Sequence, residues 1–254
     1  MSFYQIVFSP SGGTQKVTAL FTKSFCPENT RIDLTDRSRD FSLLSFTPED
    51  LCVVSVPSYG GRVPAAAVSR LHQMKGNKAR AVLLVVYGNR AYDDTLAELQ
   101  DVLTDAGWIC IAAVAAVAEH SIMRQFAAGR PDAQDQKELA AFAEQVRMKL
   151  ESGADTGSLS LPGSRPYREY NGVPMKPGAG KSCIQCGLCA EKCPVGAIPV
   201  TDPSKTDSSR CISCMRCIAL CPKDARHVSR MLLVIGSVKM KKVCGGRKKN
   251  ELYM

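Results

Sequence analysis

No run of this 254-residue chain approaches the roughly 20 apolar residues that a membrane span needs. Apolar stretches such as residues 109–118 and 231–235 fall far short of it. Also missing at the start is a basic segment followed by an apolar one; residues 1–5 open directly into a strand pattern, which predicts a cytoplasmic location. Compositional bias is absent too. With 45% apolar and 22% charged residues, the chain reads as globular rather than disordered. The turn at residues 9–14 lacks two nucleotide signatures, the Gly-Lys-Ser/Thr ending of a P-loop and the Gly-x-Gly-x-x-Gly fingerprint. Acidic residues, finally, are nearly missing from the last thirty positions. Residues 225–254 hold eight basic side chains and one acidic, whereas residues 1–150 hold 16 of each, so most of the net charge of +9 sits in the tail. A tail of this kind reads as solvated; an acidic partner or an anionic surface is the alternative, with nucleic acid the least expected.

Cysteine is what the chain has in quantity, and eight of its twelve cysteines fall into two copies of one pattern. The first copy is Cys183-x2-Cys186-x2-Cys189-x3-Cys193-Pro194. The second is Cys211-x2-Cys214-x2-Cys217-x3-Cys221-Pro222. This is the run with which bacterial ferredoxins hold cubane iron–sulfur clusters. A tight loop with a cysteine at every third position supplies three thiolates to a cube, and the fourth must come from elsewhere. In two-cluster ferredoxins the fourth cysteine of each run ligates the other cluster. The resemblance therefore implies one [4Fe–4S] cluster on Cys183, Cys186, Cys189 and Cys221, and a second on Cys211, Cys214, Cys217 and Cys193. Pro194 and Pro222 turn the chain away after the crossing ligand. The alternatives fit less well: zinc sites take paired ligands rather than triplets, and disulfides seldom persist in a chain with no export signal. Cys26, Cys52, Cys110 and Cys244 lie outside the runs, and Cys52 and Cys110 read as buried apolar residues of strands.

Ahead of the cysteines the pattern alternates strand and helix. Residues 3–8 read as a strand, Ser9-Pro10-Ser11-Gly12-Gly13-Thr14 as a turn, and 15–25 as a helix with apolar spacing at Val17, Leu20, Phe21 and Phe25. A second strand is expected around 30–34, a buried β-branched one at 51–56, a fourth at 81–87 and a fifth at 108–117. Helices are expected at 64–74, 95–105 and 134–150. Five strands alternating with helices specify a doubly wound parallel α/β sheet of order 2-1-3-4-5. Ligands of such sheets sit outside the carboxyl ends of the strands, at the switch point. The loops leaving strands one, three and four, at 9–14, 57–62 and 88–93, are neighbours there. The first offers hydroxyls of Ser9, Ser11 and Thr14, glycine amides and a helix N-terminus to an anion. An ordinary strand–helix turn with a Ser/Thr cap has the same residues. The other two loops add aromatic rings and glycines, which together with the first describes a phosphate joined to a flat heterocycle.

Residues 1–151 resemble a short-chain flavodoxin domain, with Ser9-x-Ser11-Gly12-Gly13-Thr14 similar to that family's loop for the FMN phosphate. The chain as a whole resembles the EFR1 family of anaerobes, in which a flavodoxin-like domain is fused to a small α+β ferredoxin with two clusters. The resemblance implies FMN as a third cofactor. Tyr59 and Tyr92 would then flank the isoalloxazine, and the backbone of Ser58, Gly60, Gly88 and Asn89 would meet its edges. The sequence departs from the family at Tyr59-Gly60-Gly61-Arg62, where many flavodoxins carry tryptophan. Arg62 and Arg90 read either as cations beside the flavin, stabilising its anionic reduced form, or as solvated loop residues. His120 and Ser121 follow strand five within reach of the same site, or are hydrogen-bonded loop residues.

Residues 152–180 are rich in Gly, Pro and Ser and read as a linker, with Tyr167, Tyr170 and Pro174 expected to pack against a domain. Residues 181–224 form the cluster domain. Residues 225–254 read as a helix packed on it, followed by a solvated basic tail. This organisation predicts an electron-transfer protein passing electrons between FMN and two low-potential clusters, either within one chain or across a homodimer, to redox partner proteins. A flavin-dependent reductase of a small molecule and a flavin-free iron–sulfur module are the competing readings.

Overall fold

The computed structural model describes residues 2–23, 28–153 and 159–254. The expected helical position Phe25, and Cys26, lie outside them. Elements follow in the order β1 (Phe3–Val7), α1 (Gly13–Lys23), β2 (Thr30–Asp33), β3 (Leu51–Pro57), α2 (Ala65–Leu71), β4 (Arg80–Tyr87), α3 (Thr95–Asp105), β5 (Ile109–Val117) and α4 (Ala133–Glu151). The five strands pair in parallel in the order β2-β1-β3-β4-β5, the flavodoxin-like doubly wound arrangement. Strands β3 to β5 are rich in Val, Ala and Leu because both of their faces are covered. On one face Val17 and Phe21 of α1 meet Leu139, Ala143 and Val146 of α4. On the other, Ala67 and Leu71 of α2 join Leu96, Leu99 and Leu103 of α3. Helix α3 spans the expected residues. Helix α2 is shorter than expected, and the fifth strand starts after Trp108, whose ring packs on Phe46 at 5.4 Å between centroids.

The cluster module follows as β6 (Gly178–Ala179), α5 (Leu188–Glu191), α6 (Arg216–Ala219) and β7 (Arg226–His227), with β6 and β7 antiparallel. Its two halves repeat in backbone conformation as well as in sequence. Gln185, Gly187 and Gly196 have φ of 54°, 77° and 61°; the equivalent Ser213, Met215 and Asp224 have 55°, 61° and 47°. A left-handed residue on each side of the second cysteine curls the loop so that successive N–H groups face one side.

The C-terminus corrects one expectation. Residues 225–254 are not a helix followed by a solvated tail. Helix α7 (Arg230–Cys244) leads to a sixth strand, β8 (Glu251–Tyr253), antiparallel to β5, with Ala113, Val114 and Ala115 opposite Tyr253, Leu252 and Glu251. The added strand closes the free edge of β5. A polar hub fixes it. Asp135, fully buried, accepts from Arg130 Nε at 2.9 Å, Asn250 Nδ2 at 2.9 Å and Arg247 Nη2 at 3.2 Å. Asn250 Oδ1 accepts from Val117 N at 2.9 Å.

The segment expected to link the modules is stapled down over its described part. Asp94 accepts from Ser164 N (2.8 Å) and Arg168 N (2.7 Å), Asp101 holds Arg165 and the Tyr167 hydroxyl, and Arg62 Nη1 donates to Arg168 O at 2.7 Å. Direct bonds also join the modules: Arg70 donates to Pro194 O, one residue past Cys193, and Arg216, between Cys214 and Cys217, reaches Pro10 O at 3.4 Å.

Candidate functional site: two cysteine cages and an adjoining pocket

Cys183, Cys186, Cys189 and Cys221 line one small cavity. Cys193, Cys211, Cys214 and Cys217 line another. Each cavity thus takes three thiols from one run and one from the other. Among the described residues, no group of three His, Cys, Asp or Glu converges as a single metal ion requires; the cysteines ring a space instead, which is what a polynuclear cluster needs. The crossing thiols are met by backbone amides, Ala197 N on Cys193 Sγ and Ala225 N on Cys221 Sγ, both at 3.2 Å. Arg226 Nη1 lies 3.7 Å from Cys189 Sγ. Burial pushes the Cys214 thiol up to about 12 and that of Cys217 to about 11. Thiolates at these positions therefore call for the positive charge of bound iron.

A cavity of about 630 Å³ opens at the carboxyl ends of β1, β3, β4 and β5, within the usual range for a cofactor site. Ser11, Gly13 and Thr14 line one end, beside the N-terminus of α1; Ser58, Tyr59, Gly60 and Gly88 line the middle. Gly60 and Gly61, with φ of 61° and 89°, form a tight two-residue turn closed by Tyr59 N to Arg62 O at 3.0 Å. Gly60 has a second reason to lack a side chain, since a Cβ there would lie 2.1 Å from the Tyr170 ring. His120 also lines the cavity. Its Nδ1 accepts from the amides of Ile122 and Met123 at 3.2 Å each, and burial, helped by Arg90, lowers its pKa. The imidazole is therefore neutral at pH 7, with its proton on Nε2.

Several expected residues are placed elsewhere. Ser9 Oγ accepts from Gln15 N at 2.9 Å, capping the first turn of α1. Gly12 does not line the cavity; its φ of 91° makes the turn into α1. Ser58 lines the wall, but its hydroxyl is paired with Thr95 (2.7 Å) and its amide with Val86 O (2.8 Å). Asn89 is 3% exposed and turned away; its Nδ2 donates to Cys244 O (2.7 Å) and Gly246 O (2.8 Å), terminating α7. Tyr92 packs on Tyr87 at 5.2 Å and bonds Tyr253 and Glu251 beneath β8. Arg62 does not line the cavity; it forms a two-pronged pair with Glu98 (2.8 and 2.7 Å) and lies over Tyr167. Arg90 lines the cavity, paired with Asp93.

Sequence reasoning missed the part of the wall that lies outside the first domain. Tyr170, Val173 and Met175 come from the linker, Leu232, Gly236 and Met240 from α7, and Ile212 and Ser213 from the cluster module. Gly236 has a packing reason, as a Cβ would lie 2.6 Å from Met175 Cε. Tyr170 carried a local signal as an aromatic in a linker; the others have none, because their meeting is tertiary.

Comparison with known proteins bears on the cysteine module most directly. Residues 182–225 match the 4Fe-4S dicluster domain family. Over 44 residues the chain is 43% identical to a subunit of the ion-translocating oxidoreductase complex of Methanosarcina acetivorans, a match covering 17% of each protein. The cofactors of this module are two [4Fe–4S] clusters, which are one-electron redox groups. Among solved structures, the flavodoxin of Streptococcus pneumonia TIGR4 is 18% identical, with 58% of this chain and 99% of that one covered and a TM-score of 0.41. A flavodoxin from the domain Archaea is 11% identical over 59% and 99%, with a TM-score of 0.42. The assignment of the fold rests on the strand order rather than on these values.

Proposed function

We propose that the chain is an electron-transfer protein of the EFR1 type, with FMN in the 630 Å³ cavity and the two [4Fe–4S] clusters held three-plus-one by the eight cysteines. The observation that carries the reading is the shared wall. Ile212 and Ser213, which line the cavity, are the two residues between Cys211 and Cys214 of the second cage. Bound FMN accepts electrons singly or in pairs while the clusters carry them one at a time. The chain supplies position. Ser11, Gly13, Thr14 and the α1 N-terminus bind the phosphate, Tyr59 and Tyr170 bound the ring, and α7 and the linker keep water from it. Tyr59 lines both this cavity and the cleft beside it, and its hydroxyl is held protonated by its surroundings, with Cys214 and Tyr170 near it. A direct intramolecular docking removes the need for a cluster from a second copy of the chain.

The test is an anaerobic absorption spectrum with iron, sulfide and flavin quantified together, followed by rapid reduction of the clusters across a range of protein concentrations. Flavin bleaching at a concentration-independent rate supports the reading. A holoprotein without flavin bands would end it, and a rate proportional to concentration would end the intramolecular part. A second reading has its own observation: a cleft of about 930 Å³ beyond Tyr59, bordered by Arg62, Lys176, Arg210 and Cys211, has room for a polar small molecule. Saturable oxidation of the reduced protein by such a molecule would favour a reductase.

A further inference from the structure

Helix α7 has one face that the clusters do not use and that the cavity borders only at Ile235 and Lys239. Its inner side, through Leu233, Gly236, Met240 and Cys244, packs on Met123, Phe126 and Met175. On its outer side Met231, Val234, Ile235 and Val238 are 68%, 64%, 46% and 71% exposed. The spacing of these four, at i, i+3, i+4 and i+7, makes a single stripe. Around the stripe stand Arg230, Lys239, Lys241 and Lys242, and α7 contains no acidic residue. Among the described residues, none of these four cations is in a salt bridge, in contrast to Arg247, which is paired with Asp132 and Asp135. Half of the eight basic side chains of residues 225–254 thus stand on one exposed helix, beside a domain whose first 150 residues are charge-balanced.

We propose that this face lies on an anionic lipid bilayer surface. No helix of the described residues is long and apolar enough to cross a membrane, so α7 lies in the plane of the interface with its aliphatic stripe at the acyl boundary. The stems of Lys241 and Lys242 run along the apolar surface while their ammonium groups stay at the level of the lipid phosphates. Charge decides against a second copy as the occupant, because two such faces would set cation against cation. The cations favour lipid over a protein partner: three of the four are lysine, which protein interfaces are depleted in and which an anionic lipid surface attracts.

The test is co-sedimentation of the holoprotein with phosphatidylcholine vesicles, with and without one-third phosphatidylglycerol, its cluster absorption recorded before and after. Binding is expected to the mixed vesicles only and to weaken by about tenfold or more in high salt, as screened charge requires. Val234→Asp with Val238→Asp should abolish it; Arg230→Gln with Lys241→Gln and Lys242→Gln should weaken it by about tenfold or more. Both sets avoid the cavity wall, so unchanged absorption reports an intact fold. The proposal is overturned if the mixed vesicles bring down no protein, if neutral vesicles bind equally, or if both variants bind like the parent. Self-association that the Val234→Asp and Val238→Asp changes remove would instead assign the stripe to a second copy.

Discussion

Asn250→Ala should release the C-terminal strand without unfolding the protein. Asn250 is 8% exposed and its side chain makes three bonds: Nδ2 to Asp135 Oδ1 at 2.9 Å and to Glu138 Oε2 at 2.6 Å, and Oδ1 from Val117 N at 2.9 Å. Bonds to charged groups contribute about 1.5–3 kcal/mol each and a neutral one about 1 kcal/mol, so their simple sum is an upper bound. Asp135 keeps Arg130 after the change, which reduces the loss at that carboxylate. We therefore expect about 3 kcal/mol, or roughly a hundredfold in the opening equilibrium of β8. Only three residue pairs join β8 to β5, so opening is local. Trypsin cleavage after Lys248 or Lys249, followed anaerobically under conditions where it tracks the open population, should accelerate by about a hundredfold. Cluster absorption should persist. Cleavage at the parent rate would refute the docking, and cleavage that proceeds with loss of the clusters would refute its locality.

Three further outcomes follow from the cages and the cavity. Cys193→Ala should abolish the low-temperature EPR signal of the cube whose other ligands are Cys211, Cys214 and Cys217, although Cys193 belongs to the first run; survival of that signal would break the crossed assignment. Thr14→Val should weaken FMN by about tenfold or more, as loss of a charge-assisted bond of about 1.5–3 kcal/mol requires, and leave riboflavin unchanged; equal losses would remove the phosphate from this end of the cavity. Because Ile212 and Ser213 are wall residues fixed by the second cage, Cys214→Ala should weaken FMN by about tenfold while Cys186→Ala, in the first cage, should not. Titration of flavin fluorescence against each anaerobic protein reads both, and equal affinities would show that the wall stands without its cluster.

The α/β pattern was legible wherever the signal was local. Helix α3 has the expected bounds because its apolar period and its flanking Tyr-Asp-Asp and Gly107 agree. Strands β3 to β5 announced themselves as β-branched and alanine-rich runs. The eight cysteines were legible because a cube needs thiols at fixed intervals, and even the left-handed residues between them recur at matched positions. Strand β8 was not legible, since three residues carry no periodicity and it forms only against the free edge of β5. The placement of Tyr92 was hidden for the same reason: it sits in a loop where a flavin contact is the local expectation, and the returning C-terminus takes its hydroxyl.

What the sequence determined by itself, then, was each module: the order of strands and helices, the switch-point loops and the three-plus-one sharing of cysteines implied by the doubled run. These depend on periods of two to four residues or on repeated spacing within one short segment. Tertiary structure alone decided how the modules meet. Arg70 on Pro194, Arg216 on Pro10, Tyr170 on Gly60 and Asn250 on Asp135 each join residues more than a hundred positions apart in the chain. Such pairs leave no periodic trace in the chain, because each is selected by the shape and charge of a surface that exists only after both modules have folded.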